Sequence, residues 1–114
     1  MTHSELVTAL VKPGGDILRQ MTPQKANLMH IAHQFADEAG EIVSAIKKHT
    51  CYNQELDVNN LVEEIGDIQF AIEALCQAIG RSPGFCMACN VDKLTKRYGS
   101  SYSDKAAQDR ADKQ

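Results

Sequence analysis

The sequence predicts an all-α domain, and three observations predict it. Apolar residues recur at a period of about 3.6 along most of the chain, strand-like alternation is nearly absent, and capping residues fall where the periodic stretches begin and end. With 114 residues and 43% hydrophobic content, the chain suffices for one compact domain and not two. A larger binding site would need a partner subunit, so a homo-oligomer, dimer or tetramer, is expected.

The elements follow in order. A short first helix covers "HSELVTALVK" and stops at "PGG", and "DILRQM" adds a further turn or two. The second helix opens with Thr22 as its cap and Pro23 at its first position, and runs to about His49. "TCYNQELD" is then a loop, with Asp57 or Asn59 as the next cap. A third helix extends from about Val58 to Ala78, and Gly80 ends it. Ser82 and Pro83 begin a fourth that closes at "RYG". Residues 100–114 are polar and expected to be a mobile C-terminal tail.

The second helix carries apolar residues at Leu28, Ala32, Phe35, Ala39, Ile42 and Ile46, and the third repeats that spacing with Leu61, Ile65, Ile68, Ile72, Leu75 and Ile79. These are coiled-coil-like seams, and the short loop between them requires an antiparallel hairpin within a four-helix-bundle-like architecture. Two quartets interrupt the pattern of good helix formers: "EAGE" at 38–41 and "EIGD" at 64–67. A glycine inside a helix costs about 1 kcal/mol relative to alanine, and acids three apart repel, so stability alone does not favour either quartet. On the heptad frame Glu38 and Glu64 share one position and Glu41 and Asp67 another, and a turn near Cys51 or Tyr52 sets Glu38 opposite Glu64. The acids converge where only a cation makes them tolerable. Gly40 and Gly66 also share a position, which suggests that another chain element comes close there.

Charge is divided along the chain. The net charge is −3, yet residues 37–73 hold nine acids against Lys47 and Lys48, whereas bases outnumber acids from Val91 onward. The acidic segment would repel a nucleic-acid backbone, so nucleic acid is not an expected partner. No run of about 18 apolar residues exists and the start lacks a basic leader, so no membrane partner is expected and the location is expected to be cytoplasmic. The fourth helix presents Asn90, Lys93 and Arg97 as a donor-rich stripe on the acidic flank, and Lys48 lies about two turns beyond Glu41. Four carboxylates without histidine or thiolate are hard oxygen ligands suited to Mg²⁺, with Mn²⁺ as a possible substitute. Mg²⁺ shares its positions with substrate phosphates, so Lys48, Asn90, Lys93 and Arg97 are candidate phosphate contacts. Di-iron bundles use a Glu-x-x-His motif, and neither quartet ends in His. The single CxxC, "CMAC" at Cys86 and Cys89, lacks the second pair of a zinc site and the βαβ setting of a redox motif. Thiols buried or half-buried and kept reduced are the plainer reading of all four cysteines.

"EAGEIVSAIKKH", then "NLVEEIGDIQFAIEAL", then "NVDKLTKRYG" resemble the MazG-like all-α nucleoside triphosphate pyrophosphohydrolases, whose hallmark is ExxE, a spacer and ExxD. The resemblance covers about Met29 to Gly99, within a single domain of residues 1–99. It implies Mg²⁺-dependent hydrolysis of a (deoxy)nucleoside triphosphate to the monophosphate and pyrophosphate by an obligate oligomer. It also implies that Glu38, Glu41, Glu64 and Asp67 are metal ligands and that Lys93 and Arg97 contact phosphates. Glu38 or Glu41 would orient or deprotonate the attacking water. Asp37 matches a position often acidic in the family but points outward on the heptad frame. Two other readings stand beside this one: a phosphoribosyl-ATP pyrophosphohydrolase of the same helical superfamily, and a non-enzymatic helical interaction module.

The acidic flank also locates a nucleoside. Away from the carboxylates it reads Gln34, Ile31 and Asn27 on the second helix and Ala71, Ala74 and Ala78 on the third. One wall offers amides and an apolar face, the other only methyl groups, which leaves room for a sugar and base. Close packing at a subunit interface would use the same alanines. His30 falls on an outward position, where solvent or interface packing is the expected role.

Overall fold

The computed structural model describes all 114 residues, and every regular element is helical. In chain order these are α1 (His3–Leu10), α2 (Gly14–Gln20), α3 (Pro23–Thr50), α4 (Val58–Ile79), α5 (Pro83–Tyr98) and α6 (Asp104–Asp109), with a short 3₁₀ turn at Ala111–Lys113.

Local chemistry sets the boundaries. Thr2 and Glu5 form a capping box at α1, each side chain accepting from the other's backbone N–H, at 3.1 and 3.2 Å. Thr22 accepts from the Lys25 N–H at 3.2 Å ahead of Pro23. Of the two candidate caps for α4 the structure uses Asp57, whose Oδ1 accepts from the Asn60 N–H at 3.0 Å. Gly80, at φ 70°, ends α4 in the left-handed region that favours glycine. Ser82 accepts from the Phe85 N–H at 3.0 Å and starts α5 after a very short connection. The "DILRQM" segment is a separate helix that already starts at Gly14, because Pro13 interrupts the chain after extended Val11.

α3 and α4 form the antiparallel hairpin that dominates the packing, and α5 leans on the end of α4. The face through which the hairpin closes differs from the heptad expectation. The shielded positions are Ile31, Gln34, Phe35, Glu38, Ile42 and Ala45 on α3, and Asn60, Leu61, Glu64, Ile68, Ala71, Ala74, Leu75 and Cys76 on α4. Both helices are thus rotated toward their acidic flank, which draws Glu38 and Glu64 into the seam. Leu28, Ile46, Ile65, Ile72 and Ile79 stay exposed, Ile65 by 52%. The physical reason is width: each helix carries more apolar surface than one neighbour can cover. Only four of 114 residues are buried. The radius of gyration is 19.9 Å, against roughly 13 Å for a compact chain of this length. Nothing lies within 4 Å of the added Cβ position at Gly40 or Gly66, so the single chain gives no packing reason for either glycine.

Residues 100–114, read from the sequence as a polar tail, carry α6 and the 3₁₀ turn, and both fold back on α5. Ser103 caps α6, and the Tyr98 and Tyr102 rings lie 5.4 Å apart across the bend. Arg97 fastens the end of this segment: its Nε and Nη2 donate to the two carboxylate oxygens of Asp112 at 2.8 and 3.2 Å.

Candidate active site: an acidic cluster between two helices

The hairpin register sets the ExxE of α3 against the ExxD of α4. Glu38, Glu41 and Glu64 each bring a carboxylate oxygen within 4.8 Å of the others. Glu64 is buried, Glu38 half-buried and Glu41 exposed. Glu38 Oε2 and Glu64 Oε2 are buried without a hydrogen-bond partner. Buried oxygens of this kind carry a desolvation cost that a proton or a cation relieves. The Glu64 pKa is pushed up to about 8, first by the Glu38 carboxylate and then by that of Glu41, both of which favour a shared proton, with burial and like charge adding to it. The donor set is all carboxylate oxygen, so it fits a hard divalent cation. Asp67 lies one turn beyond Glu64, exposed, and outside the close trio. It lines a small hollow of about 310 Å³ with Gln34, Glu38 and Phe70.

A second hollow, of about 490 Å³, continues from the first, since Gln34 and Phe70 belong to both. Asn27, Ile31 and Ala74 line it with His30, Gln77 and Ala78. Ala71 requires a correction. It has no exposed surface, because the rotated seam takes it into the α3–α4 contact, and it cannot touch a ligand. His30, expected to point outward, faces this hollow instead. Phe70 and Gln77 were not singled out from sequence, although Phe70 is 67% exposed in mid-helix. A large aromatic off the apolar seam, three residues from Asp67 and four from Ala74, was the available signal.

The basic candidates sit elsewhere in the single chain. At 100° per residue, Gln69 and Glu73 occupy the side of α4 opposite Glu64 and Asp67. Asn90 faces that opposite side, in a groove of about 580 Å³ shared with Pro83, Cys86 and Met87. Lys93 is exposed, and Lys48 lies exposed in the last turn of α3. Arg97 is a correction as well: it is 15% exposed and held by Asp112, itself 4% exposed, so its guanidinium is already committed within the chain. Cys86 and Cys89 are exposed, as is Cys51, whereas Cys76 is buried.

The family model of the MazG nucleotide pyrophosphohydrolase domain matches residues 26–100. The chain belongs to that family. The match spans both quartets, α3 from its second turn onward, and the whole of α4 and α5. Searches of curated proteins and of solved structures returned no match. Membership gives this MazG domain its reaction class, nucleotide pyrophosphohydrolysis, and a nucleotide as substrate. No helix of the domain is long and apolar enough to cross a membrane.

Proposed function

We propose that this MazG domain hydrolyses a (deoxy)nucleoside triphosphate to the monophosphate and pyrophosphate, with Mg²⁺ or Mn²⁺, as a homo-oligomer. The observation that carries the reading is the Glu38–Glu41–Glu64 cluster with its two unpartnered buried oxygens, whose Glu38 lines a small hollow that adjoins a larger one of nucleoside size. Glu38, Glu41 and Glu64 would hold the cation, with Asp67 at the margin. When bound, a divalent cation neutralises phosphate charge and eases deprotonation of water.

The chain's own residues supply the rest. Of the trio, Glu38 is the one that lines the hollow with Asp67, so it takes the proton of the water that attacks the α-phosphorus. Gln34 and Asn27 offer amides to the base, and Ala74 and Ala78 leave space for the ring and sugar. In one chain Asn90 lies in the groove on the far side of α4 and Arg97 is held by Asp112, so phosphate contacts from Asn90 and Lys93 would come from a second copy. The exposed Ile46, Ile65, Ile72 and Ile79 supply the apolar surface that such a copy would cover.

Pyrophosphate release from a panel of canonical and modified nucleoside triphosphates tests the reading. Mg²⁺-dependent release of pyrophosphate, abolished by Glu38→Gln, is expected. Release of orthophosphate with a nucleoside diphosphate would place the attack at the γ-phosphorus and refute it.

A further inference from the structure

The nucleotide chemistry makes no use of the thiols at the α4–α5 elbow. Cys76 lies four residues before Gly80, which ends α4, and Cys86 four residues after Ser82, which caps α5. The two are therefore symmetric about Arg81, and the surrounding residues show the same register. Ile72 and Glu73, one turn before Cys76, share a groove with Cys86 and Asn90. Cys76 is buried, and Cys86 is exposed along the groove. The two thiols are near enough that Cys86 helps to push the Cys76 thiol up, after burial, which acts most strongly. Zinc does not explain the arrangement, because the one group of three or more metal-ligating side chains close together is the glutamate trio.

We propose that Cys76 and Cys86 form a reversible disulfide that staples α4 to α5, made by exchange with a small-molecule disulfide. The exposed Cys86, as thiolate, attacks one sulfur of that disulfide, forming a mixed disulfide and expelling one thiolate. Cys76 then loses its proton and attacks Cys86 Sγ, which forms the protein S–S bond and expels the second thiolate. Two protein thiols are oxidised, one external disulfide is reduced to two thiols, and the two protons pass to the departing sulfurs. The bond closes a short loop around Gly80, Arg81 and Ser82. It fixes the angle at which α5 leaves α4, where little else packs between the two helices.

The experiment uses the full chain incubated with oxidised glutathione. In a Cys51→Ser, Cys89→Ser background, trypsin cuts after Arg81 and separates Cys76 from Cys86, so the two peptides stay joined only through the proposed bond. Joined peptides that dithiothreitol separates are expected, with a reversible rise in Tm of about 5 °C or more. Cys86→Ser, a change at an exposed position, should abolish both, and Cys76→Ala should leave glutathione attached at Cys86. Three results would overturn the proposal: glutathione retained on Cys86 while Cys76 is present, a Cys86–Cys89 bond in the unmodified chain, or a link between chains on a non-reducing gel. None of these depends on nucleotide turnover.

Discussion

The protonation of Glu64 yields a prediction with a definite size. Its pKa rises from an ordinary 4.5 to about 8 in the metal-free fold. The folded state therefore binds an extra proton between those values, and the sign follows from linkage. The stabilising contribution is full below pH 4.5, declines as pH rises, and is gone above about 8. At pH 7 a group with that pKa holds about 0.9 proton, and at pH 9 about 0.1. A divalent cation binds the ionised carboxylate, so it should expel about 0.9 proton at pH 7 and almost none at pH 9. Its apparent affinity should rise nearly tenfold between pH 6 and 7 and level off above 8. Titration calorimetry with Mg²⁺ or Mn²⁺ in buffers of different ionisation enthalpy measures the protons directly. The Glu64→Gln variant supplies the control, because its amide N–H can donate to the neighbouring carboxylates as the protonated acid does. Its thermal stability should not decline between pH 5 and 8. Release of fewer than about 0.3 proton at pH 7, or a Glu64→Gln variant that keeps the decline, would refute the shared-proton account of the cluster.

Other outcomes are expected alongside this one. Ala74→Leu should fill the α3–α4 hollow and raise KM for whole nucleotides while leaving the Mg²⁺-induced thermal shift intact, whereas loss of the oligomer would place Ala74 at an interface. Gln34→Ala should change the preference among bases more than it changes metal response, as read from kcat/KM across the nucleotide panel. Asp112→Asn should loosen the segment after Gly99, seen as faster tryptic cutting after Arg110. In the unsubstituted chain the segment should likewise loosen in acid, read as faster amide hydrogen exchange after Gly99. Arg97 holds the Asp112 carboxyl below its ordinary 3.8, so this pairing is present above that value and is lost as pH falls through the lower, folded one. Asp57→Ala should cost about 1 kcal/mol by removing the cap of α4, measured by denaturant unfolding.

What could be read from sequence was whatever neighbouring residues decide. Thr22, Ser82 and Gly80 fix helix ends through contacts three or four residues away, so those boundaries were visible in advance. The nearness of Glu38, Glu41 and Glu64 was legible too, because a short loop between two long helices leaves little freedom in register. The rotation of the two helices was not. A heptad frame assumes that the whole apolar stripe meets its partner inside the chain, and here only its Phe35, Ile42, Leu61, Ile68 and Leu75 side turns inward, where Ile31 and Ala71 join it, while Leu28, Ile46, Ile65, Ile72 and Ile79 are left outside. Ala71 was consequently placed in the hollow and His30 away from it. The Arg97–Asp112 pair spans 15 residues of irregular and short helical chain, a distance over which no periodicity carries information.

The exposed stripe of Ile46, Ile65, Ile72 and Ile79 has a consequence for the life of the protein in a cell. A newly made copy emerges with these side chains facing water, and little inside it resists opening, so proteases and chaperones meet it before anything else has covered them. The interval of risk shortens as the local concentration of copies rises. Abundance then feeds on itself: slow synthesis favours degradation, and fast synthesis favours survival. A substitution that weakens the stripe would act first on how much protein accumulates, and an assay of purified enzyme would miss it.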